Sequence, residues 1–131
     1  MGRATVLVIE QGAEAGLVCA ALAMRPELQV VGAENVAGAL ERIEREPGVA
    51  LAIAGAAALG EGMLERLGER GIPVVGLAAD VAPEVRRRAL AAGVREIHER
   101  PRRWQPYSEL VDALVARFIP AGSPPRPGPT S

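Results

Sequence analysis

Apolar positions along this chain follow two periods that alternate five times. Short β-branched or aliphatic runs predict strands at 5–9, 28–32, 49–54, 72–78 and 94–98. Between them, apolar residues recur at helical spacing. A first helix over 15–24 places Leu17, Val18, Ala21 and Leu22 on one face, and Pro26 closes it. A second, over 36–45, turns Leu40 and Ile43 inward and Glu41, Arg42, Glu44 and Arg45 to water, before a Pro47-Gly48 turn. A third, over 60–70, stops at Gly71. A fourth, over 83–92, opens on Pro83 at a tolerated first-turn position and ends at Gly93. The last, over 108–118, takes Ser108 as its N-cap, with Leu110, Val111, Leu114, Val115 and Phe118 as its apolar stripe.

Five strand–helix units of this length predict an α/β fold, a parallel sheet with helices on both faces. The run at 49–54 is almost wholly apolar, as a central strand covered on both sides must be. No Gly-x-Gly-x-x-Gly turn follows a strand, which favours the flavodoxin-like doubly wound order 2-1-3-4-5 over a dinucleotide-binding sheet.

The chain of 131 residues is expected to form one domain over 1–119, followed by a Pro-rich disordered tail over 120–131. That tail reads either as inert or as a polyproline ligand for a groove. Hydrophobic residues make up 49% but only three are aromatic, so the core is built from small aliphatic side chains. All fifteen basic residues are arginine, which removes lysine amine chemistry. Cys19 is the single cysteine, so neither a disulfide nor a thiolate metal site forms within one chain. No apolar run is long enough to span a bilayer and no leader pattern opens the sequence, so the expected compartment is the cytoplasm. The net charge of −1 makes no general case for nucleic acid or membrane. Its distribution is uneven: residues 1–80 carry six Arg against eleven acids, and 81–131 carry nine Arg against five.

In such sheets ligands bind beyond the C-terminal ends of the strands, which directs attention to Glu10, Gln11, Ala54, Ala78, Asp80 and Arg100. Here the chain, over roughly 4–118, resembles the receiver domain of two-component response regulators (the CheY-like family). Glu10-Gln11 stands where receivers carry the acidic pair that holds magnesium. Glu61-Gly62 matches the acidic-Gly end of the loop after the third strand and sets Ala54 at the position of the phosphorylated aspartate. Ala78 replaces the Thr or Ser that contacts the phosphoryl group, Arg100-Pro101 replaces Lys-Pro, and Ile97 replaces the switch aromatic. The resemblance therefore implies a degenerate pseudo-receiver. Ala54 offers no nucleophilic oxygen, Glu10 alone supplies one carboxylate for a magnesium ion, and Ala78 has no hydroxyl to donate. No cofactor and no resident metal are expected.

Two readings fit the remnants: a weak metal or anion pocket, or a salt bridge from Arg100 to Glu10 or Asp80 in the magnesium's place. His98, without a Ser or Cys partner, reads as a structural histidine turned toward the core, and Cys19 as a small buried hydrophobe.

The remaining positive feature is the face of the fourth helix, fifth strand and fifth helix. It contains Arg86, Arg87, Arg88, Arg95, Arg102, Arg103, Trp104 and Tyr107, the composition of protein-interface anchors. A solvated Arg face with Trp104 packed beneath the last helix is the plainer reading. The sequence thus supports a phosphorylation-independent module that binds another protein or itself. The alternative is a small-ligand or anion sensor that uses a strand-end pocket enlarged by Ala54 and Ala78. An enzyme has no visible nucleophile–base or metal constellation, a nucleic-acid binder no groove-reading motif, and a cobalamin binder no Asp-x-His-x-x-Gly after the first strand.

Overall fold

The computed structural model describes residues 4–10, 12–46, 48–55 and 61–119. Five strands, β1 (Ala4–Ile9), β2 (Leu28–Ala33), β3 (Val49–Gly55), β4 (Val74–Ala78) and β5 (Glu96–Glu99), alternate with five helices. These are α1 (Gly12–Ala23), α2 (Val36–Arg45), α3 (Glu61–Glu69), α4 (Pro83–Ala92) and α5 (Trp104–Phe118). Every strand pair is parallel and the order is β2-β1-β3-β4-β5, the flavodoxin-like arrangement expected from the sequence.

The period-2 alternation divides the core into two clusters. Leu7 and Ile9 of β1, Ala52 and Ala54 of β3, Val74 of β4 and Ile97 of β5 meet Ala39 and Ile43 of α2 and Met63, Leu64 and Leu67 of α3. On the other face, Val6, Val8, Leu51, Ile53, Val75 and Leu77 meet Val18, Ala21 and Leu22 of α1 and Tyr107, Val111, Leu114 and Val115 of α5. Central strands buried on both sides need continuous apolar runs, which is what β1, β3 and β4 have. The register aligns Ala33, Ile9, Ala54, Gly76 and Ile97 in one row across the sheet, the last residues of β2 and β1 and positions one or two before the ends of β3, β4 and β5.

Local chemistry sets most helix ends. The Asn35 side chain accepts from the Gly38 N–H at 2.8 Å and caps α2, whose last turn carries Arg42 and Arg45 against the dipole. Pro83 opens α4, and Gly93 closes it in the left-handed region at φ 115°, where a side chain would be strained.

Three expectations are corrected. α5 begins at Trp104, not Ser108, with Arg103 in the capping position and no side-chain cap. Pro106 falls in its first turn, where an N–H has no intrahelical acceptor to lose, so the helix runs through it. Leu17 is 37% exposed, because α1 buries the stripe Val18, Ala21 and Leu22 and leaves Leu17 at its edge. Tyr107, expected on the surface, is 1% exposed: starting the helix at Trp104 puts Tyr107 on the inward stripe with Val111 and Leu114. The Pro-rich segment 120–131 and Gln11 lie outside the described residues. No helix among the described residues is long and apolar enough to cross a membrane.

Candidate functional site

The fold brings Glu10, Ala54, Ala78 and Arg100 to one end of the sheet. Glu10 follows the last residue of β1 and is tied to β2 through its backbone N–H, which donates to the Ala33 carbonyl at 3.2 Å. Arg100 follows β5 and is tied to β4 in the same way, donating to the Ala78 carbonyl at 2.8 Å. With both backbones fixed, the side chains converge. Arg100 Nη2 donates to Glu10 Oε2 at 2.6 Å, the short distance of a charge-assisted bond. The Glu10 side chain is 6% exposed and that of Arg100 22%. Of the two readings of the remnants, the structure contains the salt bridge, and its carboxylate partner is Glu10. Asp80 stands exposed at the β4 end, outside this pair.

The pair lies against the end of β3. A Cβ built on Gly55 would lie 2.5 Å from Glu10 Oε1 and 2.7 Å from Arg100 Nη2. The guanidinium and carboxylate therefore rest directly on the backbone at the end of β3, a close approach that glycine permits. Ala54 beside it is fully buried and Ala78 is 5% exposed. Neither alanine opens onto solvent among the described residues. Chemically the site holds a neutralised carboxylate, a guanidinium and two methyl groups. None of these four side chains supplies an activated nucleophile. Among the described residues no group of three His, Cys, Asp or Glu side chains is placed to hold a metal ion.

His98 is half-buried on the α1–α5 side of β5, and its Nε2 lies 2.7 Å from Glu96 Oε1. Arg117 of α5 donates to both oxygens of Glu96 at 2.8 Å. Burial opposes ionisation of Glu96, but the bonds from Arg117 and His98 outweigh it and hold the carboxyl below its ordinary value. This cluster fastens the edge strand to the last turn of α5. Cys19 is half-buried against the α1–α5 core, and burial pushes its thiol above the ordinary value, away from thiolate chemistry.

The second candidate surface is built on α4, which buries none of its residues. Ala89 of the helix, with Val81 just before it, makes the half-buried contact with the core. Arg86, Arg87, Arg88, Arg95, Arg102 and Arg103 are all exposed, and Trp104 is 43% exposed at the start of α5. Tyr107 leaves this set for the core. What the sequence did not disclose is a groove of about 580 Å³ lined by Val81, Pro83, Arg86, Arg87 and Leu90. Its one sequence signal is Leu90, an apolar residue on an arginine-rich helix, where it reads as core.

No protein-family model matches the chain, and no curated protein matches it. Solved structures do. A response regulator in red-light signalling of R. palustris superposes with a TM-score of 0.76 at 16% identity, covering 95% of this chain and 99% of that one. A response regulator from Thermotoga maritima gives 0.72 at 21% identity, covering 87% and 98%. The phosphorylated cyanobacterial phytochrome response regulator RcpA gives 0.77 at 14%, covering 91% and 96%. The chain thus has the fold of response-regulator receiver domains over nearly its whole length.

Proposed function

We propose that the chain is a phosphorylation-independent pseudo-receiver, a non-enzymatic cytoplasmic signalling or scaffolding module that acts by binding protein. The observation that carries the reading is the Glu10–Arg100 pair, seated on Gly55 beside Ala54. At the strand ends an aspartyl phosphate needs an oxygen nucleophile and a metal that bridges to the phosphate. The alanine at 54 removes the first, and an arginine on the Glu10 carboxylate competes with the second.

Binding is assigned to the exposed side of α4, β5 and the start of α5, through Arg86, Arg87, Arg88, Arg95, Arg102, Arg103 and Trp104. Arginine and tryptophan are the side chains that most often anchor protein interfaces. The partner is another protein or a second copy of the chain. The burial of Ala54 and Ala78 and the ion pair against Gly55 favour this reading over a small-ligand sensor at the same place.

Incubation of the full chain with acetyl phosphate and Mg²⁺, followed by intact mass measurement, tests phosphorylation independence. The expected spectrum has no acyl-phosphate adduct, and an adduct contradicts the reading. Affinity capture from the source cells with Arg87→Glu and Trp104→Ala tests the face. Retention of every partner by both variants would rule it out.

A further inference from the structure

The exposed arginines of α4, β5 and the start of α5 differ from most of the others in one respect. Arg25, Arg45, Arg66, Arg70, Arg100 and Arg117 each lie between 2.6 and 3.7 Å from a carboxylate. Arg86, Arg87, Arg95, Arg102 and Arg103 form no ion pair among the described residues. Arg88 reaches only Glu84, one turn back on its own helix, at 3.5 Å. Outside this face Arg42 is the one other described arginine without a carboxylate partner, so the face gathers most of the uncompensated positive charge among the described residues of a chain whose net charge is −1.

The groove on α4 adds an apolar element to that charge. Val81, Pro83 and Leu90 provide its apolar surface, and Arg86 and Arg87 supply the polar part of its lining. Leu90 is 43% exposed and Val85, on the same helix, 36%. An apolar hollow flanked by guanidinium groups that have no internal carboxylate is complementary to acidic side chains around an apolar anchor.

We propose that the Val81–Pro83–Leu90 groove binds an acidic peptide segment of a partner protein. An apolar side chain of the segment enters the groove, and its carboxylates pair with Arg86 and Arg87. This rests on the protein-binding reading above and specifies the partner's chemistry. A nucleic acid would also satisfy the guanidinium groups, but the apolar lining gives a phosphate backbone nothing, and the acidic remainder of the chain repels a long polyanion.

The test is fluorescence anisotropy of the full chain with three probes. These are a glutamate-rich synthetic peptide bearing leucines, the same peptide with serine for leucine, and a single-stranded DNA oligonucleotide. The leucine peptide is expected to bind at least about tenfold more tightly than either other probe, and less tightly as salt is raised. Joint Arg86→Glu and Arg87→Glu substitution is expected to weaken it at least about tenfold. Leu90→Ser should weaken it severalfold while leaving the salt dependence unchanged. All three residues are exposed, so the thermal midpoint of each variant should match the parent. Equal binding of the serine peptide, tighter binding of the oligonucleotide, or indifference to these substitutions overturns the proposal. If the leucine peptide fails while cellular partners are still lost on Arg87→Glu, the acidic-segment assignment falls and the interaction face stands. If an acyl phosphate forms, it is the pseudo-receiver reading that falls.

Discussion

Arg100 Nη2 donates to Glu10 Oε2 at 2.6 Å, joining the end of β5 to the end of β1 across ninety positions of sequence. Between those strands in the sheet lie β3 and β4, and the bond passes over Gly55. A guanidinium here does two things that an ammonium does less well: it keeps its charge when half-buried, and it spreads that charge over a planar fork. The pair is thus a fixed internal contact at the place where this fold otherwise receives ligands.

Breaking the pair from one side strands a buried charge. Arg100→Ala leaves the Glu10 carboxylate without its guanidinium and should destabilise the chain by about 2–3 kcal/mol, below the figure for fully buried pairs because Arg100 keeps some solvent contact. Replacing both partners, as Glu10→Leu with Arg100→Met, should recover most of that loss. Urea unfolding of the three proteins measures it, and additive losses in the double variant would contradict the pairing.

Gly55→Ala is a steric test of the same contact. The new methyl group collides with Glu10 Oε1 and Arg100 Nη2, so the ion pair must shift. A loss of about 1–3 kcal/mol is expected, as for other overpacked sites. Combining Gly55→Ala with the Glu10→Leu, Arg100→Met background should change the size of that loss, because the atoms it meets have changed.

Tyr107 and Trp104 lie three residues apart on α5 and should behave in opposite ways. Tyr107→Ala removes a core side chain and should cost about 3–5 kcal/mol. Trp104→Ala removes a 43% exposed ring and should cost less than about 1.5 kcal/mol while weakening partner capture. Thermal melts of the two variants separate the roles.

The Glu96 cluster predicts a pH dependence. Its carboxyl titrates lower in the folded chain than in the unfolded one, so the unfolded state binds more protons as pH falls. The stabilisation is complete above the ordinary carboxylate range, near pH 4.3, and is lost as pH falls through the lower folded value. Because Arg117 is half-exposed, the contribution is at most about 1 kcal/mol. Glu96→Gln should therefore lower stability at pH 7, with the difference from the parent shrinking as pH falls below the ordinary carboxylate range, as read from urea midpoints.

The sheet order was legible because each strand and helix announced itself by period. The absence of a glycine fingerprint chose between two strand orders, and Gly71 and Gly93 marked where helices stop. The candidate site was legible in part: the salt bridge was one of two readings, and only backbone positions at the strand ends could choose Glu10 over Asp80. Helix starts were harder. Ser108 is a good cap in isolation, but Pro106 inside a first turn costs nothing, and that single fact moved Tyr107 from surface to core. The α4 groove was not legible, since Leu90 reads as core until the helix is seen to bury none of its residues.

The most direct test is the amide NMR spectrum of the full chain with and without acetyl phosphate and Mg²⁺. A receiver that accepts phosphate rearranges its strand ends, and the resonances there would report it. The account predicts unmoved signals for Ile9, Glu10, Ala54, Gly55, Ala78 and Arg100. Shifts concentrated at those residues, with a matching mass adduct, would contradict it.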